Sequence, residues 1–224
     1  MDAAADALHK QTDVPDHRFD HLLGLAAFDA FVQVLHELSA EPVPEKLQRR
    51  RAQLQDAMLD THFMLGMGRF AIAGDPDLVH AFNEMLNAVG AETVVAVVPS
   101  RADVLKRMNC ATVQIGDLED LEAQAQANKA ELLIGNSHAV EIARRLQLPL
   151  LRAGFPQYDQ LGGYQRTWIG YRGTRQTLFE LANMMLQLEK GEIEPYRSVL
   201  AQKPEYFEDN DGIATTFESS ATRH

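Results

Sequence analysis

Cysteine is almost missing from this chain: Cys110 stands alone among 224 residues. An internal disulfide is therefore excluded, and a reducing compartment, the cytoplasm, is expected. The same scarcity bears on cofactors, because an iron–sulfur cluster draws on several thiolates; no cluster is expected to be ligated by this chain alone. Long apolar runs are missing too. No window approaches the ~20 apolar residues of a membrane span, and the N-terminal MDAAADALHK has no apolar signal core. Positive charge is in short supply, with 21 Lys and Arg against 32 Asp and Glu for a net charge of -11. That balance excludes a general nucleic-acid binder, which needs clustered cations on phosphate. The one basic cluster, Arg49-Arg50-Arg51, reads as a solvated helix face.

Phosphate-binding glycine motifs are also lacking. The stretch IAGDPD (72–77) offers one glycine and two carboxylates where a pyrophosphate would sit, and carboxylates there repel phosphate. What remains is the composition of an ordinary soluble globular protein, long enough to bury a sizeable core.

Periodicity organises that remainder. Leu25, Phe28, Phe31, Val32, Leu35 and Leu38 recur at three- and four-residue spacing, which predicts an amphipathic helix ended by Pro42 and Pro44. A second helix is expected from about Glu45 to Leu65, with Gly66 and Gly68 as its stop. Apolar runs at 69–74, 93–98, 113–116, 131–135 and 148–151 alternate with helical patterns. Asp75-Pro76 looks like an N-cap followed by proline at the first helical position. The alternation predicts an α/β fold, a Rossmann-like parallel sheet flanked by helices and preceded by the two amphipathic helices. Three segments are expected: 1–66, a helical remnant of or link to missing upstream domains; 67–191, the Rossmann-like domain, ending in a helix from Gly173-Thr174 to Gly191; and 192–224, an extended, partly disordered arm.

Candidate chemistry is thin. LLIGNSHA places Gly135, Ser137 and Ala139 at nucleophile-elbow spacing between a strand and a helix. Asp159 offers an acid, but the one later histidine is His224 in the tail, so the triad has no base. The stronger reading is that Asn136 or Ser137 caps a helix, with anion binding at that helix start as a minority alternative. Asp56, Asp60 and His62 have poor metal-ligand spacing, and ion pairing with nearby arginines is the better account. Lys106 and Arg107 precede Cys110 and would lower its pKa, although a structural thiol is the simpler reading. Met184 and Met185 fit a helix core. Finally, RAGFPQYDQLGGYQRTWIGYRG (152–173) gathers glycine, arginine and most of the chain's tyrosine and tryptophan after a strand, an interface composition. Phe155 is expected to pack and Pro156 to fix the turn, with glycines folding the backbone back before the last helix.

Several stretches together resemble one family. RAQLQDAMLDTHFMLGMGRFAIAGDPDLV, IGDLEDLE, LLIGNSHA, LLRAGFPQYD and GYRGTRQTLFELAN are similar, in order, to the last domain of nitrogenase component 1 β-type subunits. In the catalytic branch the Gly-Phe-Pro segment typically runs on into histidines. Here it runs on as QYDQLGGYQR, without histidine, and the helix text LQDAMLDTHFML and the tail PYRSVLAQKP resemble the N-type subunit of the iron–molybdenum cofactor assembly scaffold. The resemblance implies a structural, non-catalytic β-type portion of that scaffold, active in nitrogen fixation. The alternatives are a portion of a nitrogenase-type oxidoreductase, or a stand-alone anion- or partner-binding module. It implies an E-type subunit as partner in a heterotetramer, with the nitrogenase iron protein and a cofactor-precursor donor as further partners. The whole complex would carry an iron–sulfur cofactor precursor and a bridging iron–sulfur cluster, neither held by this chain. Gly154, Phe155, Pro156, Tyr158, Asp159, Asn136 and Ser137 are its family-marker or interface residues; no catalytic, cofactor-binding or metal-ligating residue is assigned.

Overall fold

Five short apolar runs become the strands of one parallel sheet: β1 (Arg69–Ala73), β2 (Glu92–Val98), β3 (Val113–Ile115), β4 (Leu132–Gly135) and β5 (Leu150–Arg152). Their order is β3-β2-β1-β4-β5. The computed structural model describes residues 2–189; the arm expected over 192–224 and the helix stop expected at Gly191 lie outside the described residues. Strands β1, β2 and β4 are buried on both faces, which is why they read as continuous apolar runs without alternation. The pairing of β1 with β2 steps from Phe70–Thr93 to Ala71–Val95, so Val94 is the extra residue of a bulge.

The described residues form seven helices: α1 (Asp2–Thr12), α2 (Leu25–Ser39), α3 (Glu45–Leu65), α4 (Pro76–Asn87), α5 (Leu118–Ala127), α6 (Val140–Leu146) and α7 (Gly170–Glu189). On one face Phe70, Ile72 and Ile134 join Leu54 and Leu65 of α3, Phe82 of α4 and Leu181 of α7 in one cluster. On the other, Ala71, Val97 and Leu133 pack with Leu121 of α5 and Ile142 of α6. Asp117 starts α5 with a reciprocal cap: its Oδ1 accepts from Glu119 N at 2.9 Å, and Asp120 Oδ2 accepts from Asp117 N at 3.1 Å. Asp75 precedes Pro76 as the spacing predicts, but its side chain makes no cap hydrogen bond.

Three sequence expectations need correction. Helix α7 begins at Gly170, four residues before Thr174. Thr174 Oγ1 is already engaged by Gly24 N at 2.9 Å, and the helix is entered instead through Gly170, at φ +74°, whose amide donates to Leu22 O. Arg51 is only partly solvated. Its Nε and Nη2 reach Asp29 Oδ2 at 2.9 and 2.7 Å, and Tyr171 Oη donates to Asp29 Oδ1 at 2.6 Å. This joint ties α2, α3 and α7, with Phe28 edge-on to Tyr171 at 4.7 Å. Asp56 and Asp60, by contrast, are exposed and make no ion pair among the described residues, because the nearby arginines point to other partners: Arg51 to Asp29 and Arg49 to Glu45.

Candidate functional site at the strand ends

In this strand order the connections from β1 and β4 leave in opposite directions, which opens a crevice beyond their carboxyl ends. The crevice has a volume of about 370 Å3 and is lined by Gly74, Asp75, Asp117, Asn136, His138 and Phe155, among others. Its two carboxylates make it unsuited to phosphate. A second hollow, of about 750 Å3, opens between α2, α3 and the loop before α7; Arg166 on its wall is engaged by Glu180 at 2.6 Å and lies 3.9 Å over the Trp168 ring.

All seven marker residues meet at one point on the crevice rim. Asn136 Nδ2 donates to Phe155 O at 2.8 Å, and the Ser137 amide donates to Pro156 O at 3.0 Å. Ser137 Oγ accepts from the Tyr158 amide at 3.0 Å and donates to Asp159 Oδ1. Arg152 Nε donates to Asp159 Oδ2 at 2.7 Å. Gly154 takes φ +78°, where an L side chain is strained, and a Cβ there would also press on the end of Leu78 at 2.9 Å. The Phe155–Pro156 peptide is cis. The turn after β4 is thus latched to the turn after β5. The Ser137 hydroxyl, and behind it the Arg152 guanidinium, hold the Asp159 carboxyl below the usual carboxylate range, against partial burial.

This geometry sorts the sequence readings. Asn136 does cap, its Oδ1 accepting from His138 N at 3.0 Å at the start of the 3-10 turn leading into α6. Ser137 does not cap; its hydroxyl serves the latch. The hydrolase arrangement is absent, since the partners of Ser137 are a carboxylate and an amide, with no imidazole among them. Anion binding at this turn loses its donors, because Asn136 Nδ2 and the Ser137 amide are spent on backbone carbonyls. Phe155 does not pack: it is 75% exposed. The latch grips the carbonyls of residues 155 and 156, so the loop is fixed by its backbone and the ring needs no core to hold it. Tyr158, Leu161 and Tyr164 are exposed beside it, while His138 Nδ1 lies 3.5 Å from Tyr158 Oη, their rings edge to face. Sequence reading missed the role of Arg152; an arginine at a strand end before a Gly-Phe-Pro turn was the one signal available.

The thiol does not fit an iron–sulfur cluster. Cys110 Sγ donates to Thr112 O at 3.2 Å, and burial pushes its pKa up. The basic neighbours that would have lowered it are directed elsewhere, Lys106 to Asp103 and Arg107 to Asp20. No second thiolate exists to share a cluster with it.

Comparison with known proteins agrees with the geometry. Residues 1–186 match the family model described as nitrogenase component 1 type oxidoreductase. Proteins titled "Nitrogenase iron-molybdenum cofactor biosynthesis protein NifN" are similar along most of the chain. That of Rhodobacter capsulatus is 46% identical, over 83% of this chain and 41% of its own length. That of Klebsiella pneumoniae is 44% identical, over 83% and 40%, and that of Bradyrhizobium diazoefficiens 42%, over 83% and 40%. The chain therefore spans about two fifths of the length of these curated relatives. Among solved structures, "Nitrogenase Cp1 at pH 6.5" superposes with a TM-score of 0.81 at 27% identity, covering 88% of this chain and 46% of that one.

Proposed function

The chain belongs to the nitrogenase component 1 type oxidoreductase family, and from that premise we propose that it is a structural β-type portion of the scaffold on which the nitrogenase iron–molybdenum cofactor is assembled. The observation that carries this reading is the identity of 42–46% with proteins titled for that biosynthesis. The side-chain chemistry agrees. The strand-end site is a latched backbone carrying exposed aromatics, not a nucleophile–base pair or a thiolate set, so the portion works by presenting a surface. The cluster cargo is held elsewhere in the complex, a reading that the single, half-buried thiol supports. The surface built by Phe155, Tyr158 and Tyr164 is where an E-type subunit docks in a heterotetramer, in contact with the iron protein and a precursor donor. The compartment is the cytoplasm; no helix among the described residues is long and apolar enough to cross a membrane.

The catalytic alternative, a portion of a nitrogenase-type reductase, is less well supported, since no histidine follows Asp159 in the loop. Co-expression with a tagged E-type subunit from one of the relatives tests the proposal, with that relative's full-length NifN as positive control. Retention of this chain is expected. No retention, while the full-length protein is retained, overturns the docking role.

A further inference from the structure

At α4, three side chains from two distant parts of the chain converge. His80 and Glu84 are four residues apart and share one face of α4. His21 comes from the loop before α2, which is pinned by the Gly170 amide on Leu22 O and by the Gly24 amide on Thr174 Oγ1. His21 Nε2 lies 2.8 Å from Glu84 Oε2, and His80 Nε2 lies 3.5 Å from Glu84 Oε1. One ligand atom from each residue lies within 4.8 Å of the other two.

We propose that His21, His80 and Glu84 form a seat for a divalent first-row transition ion of the zinc class, a staple between the N-terminal loop and α4.

Three observations carry this. First, His80 is 2% exposed, its Nδ1 has no hydrogen-bond partner, and its Nε2 contact at 3.5 Å is too long for a good hydrogen bond. Leaving a buried imidazole nitrogen without a good partner is unfavourable, and a cation at the convergence point would be the partner of His80 Nε2. Second, the spacing fits. Ligand atoms on a tetrahedral zinc lie roughly 3.3 Å apart, given bonds of about 2.0–2.1 Å, and the separations of 2.8 and 3.5 Å, each to a different oxygen of the Glu84 carboxylate, lie on either side of that value. Glu84 is half exposed and has the freedom to adjust. Third, the chemistry fits. Two imidazoles and a carboxylate suit zinc, cobalt or iron(II) better than calcium or magnesium, and burial keeps the His80 imidazole in its neutral, ligating form. Asp20 adds negative charge nearby, while Arg107, the adjacent cation, is occupied by Asp20 at 2.8 Å. Three protein ligands leave the solvent side of the ion open to water or to a group on another molecule.

The test uses the full chain without a histidine tag, stripped with chelator and titrated with zinc chloride by calorimetry, and with cobalt(II) by its visible d–d absorption. One equivalent of zinc is expected to bind and to raise the melting temperature. His21→Gln and Glu84→Gln should each weaken zinc binding by at least about tenfold and abolish the cobalt spectrum. His36→Gln, at an exposed histidine on α2, should change neither. His80 is left intact because its loss could unfold the core. Absence of saturable zinc binding overturns the proposal. So does zinc binding that survives both substitutions, which would place the ion elsewhere and leave His21, His80 and Glu84 a hydrogen-bonded cluster.

Discussion

Phe155, Tyr158 and Tyr164 stand 75%, 69% and 69% exposed, whereas Tyr171, a few residues on, is 3% exposed and Trp168 packs edge-on against Phe82 at 5.3 Å. Both sets belong to one aromatic-rich segment, yet they are held by different means. The first half, 154–159, is fixed through its backbone by Asn136 and Ser137, with Asp159 holding the Ser137 hydroxyl. The second half, 166–173, is fixed through its side chains, by packing on α2, α4 and α7. A loop whose backbone is pinned and whose rings are free spends no aromatic surface on its own stability. Rings displayed on a rigid frame cost little ordering entropy on docking, which suits an interface. The difference therefore separates residues that serve the fold from residues that serve a partner.

The largest effect should come from breaking the packed half. A Cβ on Gly173 would meet the carbonyl carbon and oxygen of Trp168 at 2.6 Å and Thr167 O at 2.8 Å. These are backbone atoms that no rotamer change can move aside, so Gly173→Ala should lower stability by about 3 kcal/mol or more, read as a fall in the urea midpoint. Tyr171→Phe is milder. It removes the hydroxyl donated to Asp29 at 2.6 Å but leaves Arg51 on that carboxylate. A hydrogen bond to a charged group contributes about 1.5–3 kcal/mol, and partial exposure of Asp29 brings the expected loss to the low end, ~1.5 kcal/mol. Equal stability of Tyr171→Phe and the parent would contradict the joint.

The latched half responds to pH as well as to mutation. Asp159→Asn should cost ~1 kcal/mol at neutral pH. Because the folded pKa of Asp159 lies below its ordinary 3.8, the carboxylate's contribution is complete above that value and is lost as pH falls through the lower folded pKa. The gap in urea midpoint between parent and Asp159→Asn should therefore be constant above about pH 5 and narrow only in acid. A gap that already closes between pH 7 and 5 would mean that another group governs the latch.

These distinctions were legible in the sequence to different depths. β1, β2 and β4 could be read because strands buried on both faces must be continuously apolar, and α5 because Asp117 and Asp120 carry a local cap. The marker residues could be picked out singly but not joined. Asn136 and Ser137 are some twenty residues from Phe155 and Asp159, and they meet because β4 and β5 lie side by side, which is tertiary information. The start of α7 was misplaced because Thr174 is engaged by Gly24, 150 residues away. Phe155 was expected to pack because apolar residues usually do, and nothing local signals that Asn136 and Ser137 will grip the loop backbone instead. His21, His80 and Glu84 left no trace at all, since 59 residues separate the first pair and no spacing rule reaches that far.

The smallest effect on stability should come from the exposed set, and there the comparison has its sharpest test. Phe155→Ala and Tyr158→Ala remove rings that make little contact with the core, so each should shift unfolding by no more than about 0.5 kcal/mol. Asn136 and Ser137 still hold the backbone in both variants, and the loop should keep its shape. If the rings serve a partner, the same substitutions should sharply reduce retention by a tagged E-type subunit, because buried aromatic anchors dominate interface energy. Tyr171→Phe supplies the converse, a loss of stability with retention preserved at a temperature where the variant stays folded. Loss of stability in Phe155→Ala, or retention unchanged in both exposed-ring variants, would erase the division between the two halves. The segment would then be a single structural crossover, and the docking surface would have to lie on another face of the chain.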